Sequence, residues 1–277
     1  MEEIYRALVL GVSDYFRKNN FGMAVIGLSG GIDSSVSACI ASRALGRKNL
    51  VAILMPDAGV TPAQSLADAV KLSGYLGINY RIIPINDFAN FFIGTGKKFQ
   101  SRKLRSAFNY SLANAKARTR MTILYYFANL ENALVIGTSD KSEIALGYTT
   151  KFGDGASDIS VIGDLWKSDV IMLAKFLKVP ASIINKKPSA ELVVGMTAEE
   201  ELGAPYEVLD KILKMHIEKD LPAEKIIGNG FDEKIVNDVI KRIRVNEHKR
   251  RSPVVIRVSE RSFHNSEWRM PITNGYS

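Results

Sequence analysis

Short apolar runs alternate with amphipathic segments through the first half of the sequence. The apolar runs lie at residues 23–28, 50–55, 80–85 and 133–137. Their length and composition are typical of buried parallel strands. Segments with helical spacing lie at residues 4–18, 37–45, 61–72 and 102–131. Strands that alternate with helices need crossover connections, which build a parallel sheet covered on both faces. The sequence therefore predicts a doubly wound α/β fold with a mostly helical C-terminal part and an extended tail from residue 254.

The loop after the first apolar run reads Ser-Gly-Gly-Ile-Asp-Ser-Ser at residues 29–35. Gly30 and Gly31 permit a sharp turn and a close approach to an anion. The next helix adds unpaired N–H groups and the positive end of its dipole. The loop lacks the lysine of a Walker A motif and the spaced glycines of dinucleotide folds. We interpret it as a phosphate-binding loop, with a plain capped turn as the alternative.

Asp33 lies inside this loop. A carboxylate repels phosphate unless a cation lies between them, and magnesium binds carboxylate and phosphate oxygens together. In doubly wound sheets, ligands bind at the carboxyl ends of the strands. The loops that begin at Ser29 and Thr138 both leave strands at that edge, so we expect them to converge.

The bulk composition narrows the function classes. The net charge is +8, and eight cations with no acid lie between residues 97 and 120. Such a local cluster suits a compact polyanion such as a nucleotide, although solvated helix faces are an alternative. No apolar run approaches the length of a membrane span. Cys39 is the only cysteine, and the N-terminus is acidic, unlike a secretory signal. We expect a cytoplasmic protein that binds no membrane, whereas the basic charge by itself also suits nucleic acid.

The heptad at residues 29–35 resembles the signature of the N-type ATP pyrophosphatases, which split ATP into AMP and pyrophosphate. The blocks at residues 135–143 and 147–158 resemble those of NAD synthetases, as do residues 248–251 and 268–275. The resemblance extends over essentially the whole chain. It implies a single domain, residues 1–277, with a Rossmann-like fold of the adenine nucleotide alpha hydrolase type.

The resemblance also implies the site residues. The implied ATP-binding positions are Gly27, Leu28, Ser29, Gly30, Gly31, Ile32, Asp33, Ser34, Thr138, Lys167 and Ser189. The implied deamido-NAD-binding positions are Arg118, Lys151, Asp158, His248 and Lys249. Asp33 and Glu143 are the implied magnesium ligands, and no catalytic nucleophile is expected. The loop at residues 195–200 departs from the family pattern, so we assign it no role.

The implied reaction is the amidation of deamido-NAD to NAD, with ATP as co-substrate and an acyl-adenylate intermediate. The implied partners are small molecules and no nucleic acid. The chain starts close to the synthetase helix and its one cysteine lies within the synthetase part, so we expect ammonia as nitrogen donor. A separate glutaminase subunit is the alternative source. A tRNA-thiolating ATP pyrophosphatase and a non-catalytic nucleotide-binding protein are the rival interpretations. The family is typically homodimeric, and residues 124–130 are a candidate interface or a core segment.

Overall fold

A computed structural model describes residues 1–97, 105–188, 197–263, 268 and 270–273. Within these residues, five parallel strands form one sheet in the order β3-β2-β1-β4-β5. The strands are β1 (Met23–Gly27), β2 (Leu50–Leu54), β3 (Asn79–Ile82), β4 (Ala133–Gly137) and β5 (Ile159–Ser160). This is the predicted α/β fold with a parallel sheet.

Helices connect the strands and continue after them. The helices up to β5 are α1 (Glu2–Lys18), α2 (Ile32–Leu45), α3 (Ala63–Leu76), α4 (Asn86–Lys97), α5 (Arg105–Leu130) and α6 (Lys141–Leu146). Those after β5 are α7 (Lys167–Phe176), α8 (Ala181–Ile184), α9 (Ala198–Leu202), α10 (Tyr206–Leu213), α11 (Ala223–Gly228), α12 (Glu233–Val245) and α13 (Glu247–Arg250). The C-terminal part is mostly helical, as predicted. Among the described residues, no helix is both long and apolar enough to cross a bilayer.

The two faces of the sheet bury different residues because successive strand side chains point in opposite directions. Ile26 and Leu54 belong to a core cluster with α1, α2 and α7. Val25 and Ile53 belong to a second cluster with Leu124 of α5. Both faces of the sheet are therefore covered, which explains why β1, β2 and β4 are apolar throughout rather than alternating. The edge strand β3 is exposed.

Two of the boundaries that differ from the sequence prediction lie near the carboxyl edge of the sheet. The second helix begins at Ile32, five residues before the predicted start, because Gly31 has extended backbone angles and serves as its N-cap. Asp33 consequently lies in the first helical turn. The third strand ends at Ile82 and not at residue 85, since Pro84 has no N–H to continue a regular ladder.

The C-terminal helices form a third apolar cluster beside the sheet. Leu209 and Ile212 of α10 pack with Val236 of α12, and Leu146 of α6 belongs to the same cluster. Helix α10 also contacts α6 and α7. These helices are thus attached to the elements that follow β4 and β5. After them, residues 252–258 form no helix or strand and are exposed, in agreement with the predicted tail.

Candidate active site

The site lies where the winding of the sheet changes direction. From β1 the chain builds outward to β2 and β3, and it then returns to place β4 on the other side of β1. Ligands in open α/β sheets bind outside the carboxyl ends of the strands at such a switch point. The loops after β1 and β4 meet there, as predicted, and bring Asp33 close to Glu143.

The loop after β1 is held in one shape by its own side chains and by α3. Gly30 has φ of +79°, and a Cβ at this position would lie 2.1 Å from the backbone oxygen of Ser65. Only glycine fits such a backbone and such a close neighbour. The Ser29 hydroxyl accepts from Gly31 N at 3.2 Å, and the Ser34 hydroxyl donates to Gly31 O at 3.1 Å. The loop is therefore preorganised.

Three carboxylates from two helices meet beside this loop. Oxygen atoms of Asp33, Asp140 and Glu143 all lie within 4.8 Å of one another. Asp140 caps α6 by accepting from Glu143 N at 2.8 Å, and the Glu143 carboxylate accepts from Asp140 N at 3.3 Å. Asp33 comes from the first turn of α2. The reciprocal cap fixes both acids of α6 opposite the first loop.

Lys167 lies at the centre of the carboxylates. Its Nζ is 2.8 Å from Asp33, 2.8 Å from Asp140 and 3.1 Å from Glu143. The side chains of Lys167 and Asp140 are fully buried, whereas Asp33 and Glu143 remain 21% and 17% exposed. The two partly exposed acids are thus the ones that can meet a ligand.

The electrostatics of this cluster favour additional positive charge. Burial raises the pKa of Asp140 to about 6, although the Lys167 ammonium offsets part of this effect. Burial also raises the pKa of Glu143 well above its usual value. Burial alone would lower the pKa of Lys167, but the surrounding carboxylates raise it well above its usual value. The single Lys167 ammonium therefore does not fully offset the cost of burying three negative carboxylates.

A cavity of about 460 Å³ opens in front of the loop and the two acids. Its apolar wall consists of Ile53, Leu54, Met55, Val60, Leu66, Met121 and Leu124. Its predicted polar members are Ser29, Gly31, Asp33, Ser34, Thr138 and Glu143, and Gly27, Leu28 and Ile32 complete the loop side. Lys167 does not line the cavity, because it lies behind the acids. The cavity lining therefore combines apolar side chains with the loop backbone and the two acids.

The residues implied for deamido-NAD form a second group. Arg118 Nε donates to Lys151 O at 3.2 Å, and Lys151 Nζ donates to His248 O at 2.6 Å. Lys249 Nζ donates to Gly147 O at 2.6 Å. These four cationic or ionisable side chains lie in one region, although none lines the cavity.

Asp158 takes a different position from the other four. Its carboxylate accepts from Val135 N at 2.7 Å and from the Tyr125 hydroxyl at 3.2 Å. It therefore ties the segment before β5 to β4. Ser189 and residues 195–196 lie outside the described residues. Thr197 caps α9 in a reciprocal pair with Glu200 and lines the cavity.

Known protein families and structures similar to this chain agree with the α/β fold. The family model of NAD synthase matches residues 4–253. The chain belongs to the NAD synthase family.

Relatives within the NAD synthase family differ in length. The chain is 43% identical over 99% of its length to a glutamine-dependent NAD(+) synthetase of Thermotoga maritima, of which it covers 48%. It is 38% identical over 93% of its length to an NH(3)-dependent NAD(+) synthetase of Fusobacterium nucleatum, of which it covers 96%. The chain thus spans about half the length of the first relative and nearly all of the second.

A solved NMN synthetase of Francisella tularensis is similar in fold. Its TM-score is 0.80 at 32% identity, and the match covers 93% of this chain and 98% of that one. The similarity agrees with the five-stranded parallel sheet described above.

Asp140 and Lys186 are two members of this candidate site that were not identified from the sequence. Asp140 joins the acidic cluster, and its spacing to Glu143 is that of a capping box, a signal that could have revealed it. Lys186 lines the cavity, and its Nζ donates to Gly30 O at 2.8 Å and to the Ser65 hydroxyl at 3.1 Å. The lysine pair before Pro188 was its only sequence signal.

The donor set fits a hard divalent cation. Magnesium prefers oxygen ligands, commonly one or two carboxylates together with substrate phosphates. Asp33 and Glu143 offer such carboxylates at the cavity wall, next to the loop that would hold the phosphates. Asp140 and Lys167 lie behind them, so they would set the charge of the site without reaching the ligand.

Proposed function

We propose that this chain amidates deamido-NAD to NAD with ATP and ammonia and releases AMP and pyrophosphate. The observation that carries the proposal is that Asp33 and Glu143 line one cavity together with Ser29 and Gly31 of the preformed loop. This arrangement suits a polyphosphate and a divalent cation. Family membership supports the acceptor, which the loop by itself does not specify.

The two kinds of cavity lining suit the two parts of ATP. The apolar wall with Met55, Leu66 and Met121 suits the adenosine part. The backbone around Gly31 and the N-terminus of α2 suit the phosphates, because unpaired N–H groups and the helix dipole attract anions. Magnesium, held by Asp33 and Glu143, would supply charge neutralisation of the departing pyrophosphate.

The chemistry proceeds in two balanced steps. An oxygen of the nicotinate carboxylate attacks the α-phosphate, and the bond from that phosphorus to the pyrophosphate oxygen breaks. Ammonia then attacks the carboxyl carbon, loses a proton, and displaces AMP with the former carboxylate oxygen. No covalent enzyme intermediate forms, so the residues bind, orient and exclude water. The preformed loop and the buried Lys167 cluster provide the rigid frame that this requires.

The choice of ammonia rests on two observations. The NH(3)-dependent relative from Fusobacterium nucleatum matches this chain over nearly the full length of both. In addition, Cys39 offers no glutaminase nucleophile, since burial raises the pKa of its thiol to about 11. A thiol needs the thiolate form to attack. A glutaminase subunit that delivers ammonia remains the alternative source.

Two properties accompany the proposed activity. We propose a homodimer that uses the outer face of α5, where Tyr126 and Leu130 are 60% and 62% exposed. Leu124 on the inner face of α5 is 5% exposed and belongs to the core. Residues 124–130 therefore contribute to the core with one face and offer the other face for the proposed dimer contact. Sedimentation of Tyr126→Arg as a monomer would support this face. A cytoplasmic location stays a prediction.

An acceptor panel tests the function. Purified protein is given ATP and magnesium with deamido-NAD, with nicotinate mononucleotide, with tRNA or without acceptor. The donor is ammonium or glutamine. We expect AMP, pyrophosphate and NAD in equal amounts with deamido-NAD and ammonium. The mononucleotide is included because the solved neighbour is described as an NMN synthetase.

Controls separate this function from its rivals. Asp33→Ala should remove pyrophosphate release, whereas Asp238→Ala, at an exposed ion pair with Arg242, should not. Product from glutamine alone would contradict ammonia as donor. Pyrophosphate release only with tRNA would favour the thiolating class, and ATP binding without any turnover would favour a non-catalytic protein.

A further inference from the structure

Helix α7 carries Lys167 but has no cap of its own. Trp166 is at the N-cap position and makes no side-chain hydrogen bond to the first turn. The first N–H groups of a helix lack intrahelical partners, so a buried helix start needs acceptors from elsewhere. Lys167 and its whole side chain are buried, which makes this need strict.

Two residues from other helices supply the missing acceptors. Lys167 N donates to the Ser142 hydroxyl at 3.0 Å. Ser168 N donates to Asp210 Oδ2 at 2.8 Å. The Ser142 hydroxyl in turn donates to Asp210 Oδ1 at 2.5 Å. Asp210 of α10 therefore connects the first turns of α6 and α7. Two of the three hydrogen bonds are buried, and the one from Ser168 N is partly buried.

A second residue of α10, Tyr206, contacts the Lys167 side chain. Tyr206 precedes Asp210 by four residues, so both lie on one face of the helix. The Lys167 Nζ lies 5.0 Å from the centroid of the Tyr206 ring, within the distance of a cation–π contact. Tyr206 and Asp210 are 4% and 2% exposed. One face of α10 thus contacts both the backbone and the ammonium of Lys167.

These contacts connect the helical cluster to the acidic cluster. Helix α6 carries Asp140 at its cap and Glu143 in its first turn, and α7 carries Lys167. We infer that Asp210 is a positioning residue that sets the geometry of the magnesium-binding acids from outside the cavity. It does not contact the ligand itself. The effect of Asp210 on turnover rests on the proposed function, whereas its effect on the geometry of the acids does not.

The expected effect follows from the behaviour of outer-shell partners. Replacing a residue that orients a metal ligand commonly costs about 10- to 100-fold in metal affinity or activity. In Asp210→Ala, Ser168 N and the Ser142 hydroxyl lose their shared acceptor, so the starts of α6 and α7 lose their mutual fixation. Asp210→Asn keeps one acceptor and a similar shape, and we expect a smaller loss.

The test measures magnesium-dependent ATP binding as well as turnover. Calorimetric titrations compare wild type, Asp210→Asn, Asp210→Ala and the control Asp232→Ala. Asp232 caps α12 by accepting from Ile235 N at 3.0 Å, so its replacement removes a helix cap other than those of α6 and α7. Its loss should lower stability and leave the acids in place.

The outcomes discriminate a positioning role from a structural one. We expect Asp210→Ala to raise the magnesium concentration for half-maximal ATP binding at least tenfold, with Asp210→Asn between it and wild type and Asp232→Ala within twofold of wild type. Equal magnesium dependence in all four proteins would overturn the inference. If Asp210→Ala does not fold, Asp210→Asn is decisive. A rise of at least threefold in its magnesium concentration for half-maximal ATP binding supports the inference, and a smaller change overturns it. Should wild type turn over no acceptor, the proposed function fails, while the binding titrations still test Asp210.

Discussion

Replacing Lys167 with methionine tests whether its ammonium holds the acidic cluster together. Methionine has a similar length and no charge, so the change removes the cation with little loss of volume. Lys167 Nζ contacts three carboxylates at 2.8, 2.8 and 3.1 Å. We expect the metal-free protein to lose a large part of its stability.

The magnitude follows from these distances. At an effective dielectric constant of about 20, each contact at 2.8 to 3.1 Å contributes about 5–6 kcal/mol of Coulomb attraction. Desolvation of the buried groups and repulsion among the acids offset most of this attraction. Breaking a buried ion pair by removing one partner costs about 3–5 kcal/mol in comparable cases. We therefore expect the free energy of unfolding of Lys167→Met to fall by about 3–5 kcal/mol.

The loss should also depend on pH in a defined direction. The pKa of Asp140 in the folded protein is about 6, above its usual value near 4. Between these two values the folded state binds more protons than the unfolded state, so this group adds stability as the pH falls. Removing the ammonium strengthens this effect. The difference between Lys167→Met and wild type should be larger at pH 8 than at pH 5.

Guanidinium denaturation in EDTA at both pH values measures the change. The midpoint should fall with an unchanged slope if only stability changes. Lys211→Met is the control, because Lys211 forms an exposed pair with Glu207 at 2.9 Å, and exposed pairs contribute little to stability. A loss below about 1 kcal/mol in Lys167→Met, equal to the control, would refute the role of Lys167.

Three further predictions concern the loop, the acceptor and the cysteine. Gly30→Ala should lower the free energy of unfolding by at least about 1–3 kcal/mol, because φ is +79° and the new Cβ would meet Ser65 O. Gly11→Ala in α1 is the control, because its Cβ would meet no other atom. Equal denaturation midpoints for the two variants would contradict this prediction. Arg118→Ala should raise the KM for deamido-NAD more than that for ATP in steady-state assays, and equal changes would remove its assignment. Cys39, with a pKa of about 11, should react with iodoacetamide at pH 8 on the order of 100-fold more slowly than free cysteine, and a similar rate would show an accessible thiolate.

Local patterns were enough to predict four of the five strands and the first loop, whereas the short strand β5 was not predicted. The apolar runs had the length of parallel strands, and the topology alone predicted that the loops after Ser29 and Thr138 converge. Asp33 was singled out because a carboxylate among phosphate-binding groups needs a cation. These features depend on a few neighbouring residues, so they are visible in one sequence.

Contacts between distant segments could not be predicted in the same way. The burial of Lys167 depends on Asp33 and Asp140 arriving from two other helices, and nothing near residue 167 indicates their approach. Asp210 and Ser142 are 68 residues apart and meet only because α10 packs on α6. Asp140 was missed because its spacing to Glu143 is also that of an ordinary helix start.

Isotope transfer tests the central claim most directly. Deamido-NAD labelled with ¹⁸O in the nicotinate carboxylate is converted with ATP and ammonium, and the AMP is analysed by mass spectrometry. The proposed adenylation predicts one ¹⁸O atom in the phosphate of AMP for each NAD formed, because the carboxylate oxygen that attacks the α-phosphate leaves with AMP. AMP without ¹⁸O, formed together with NAD, would contradict attack of the carboxylate on the α-phosphate.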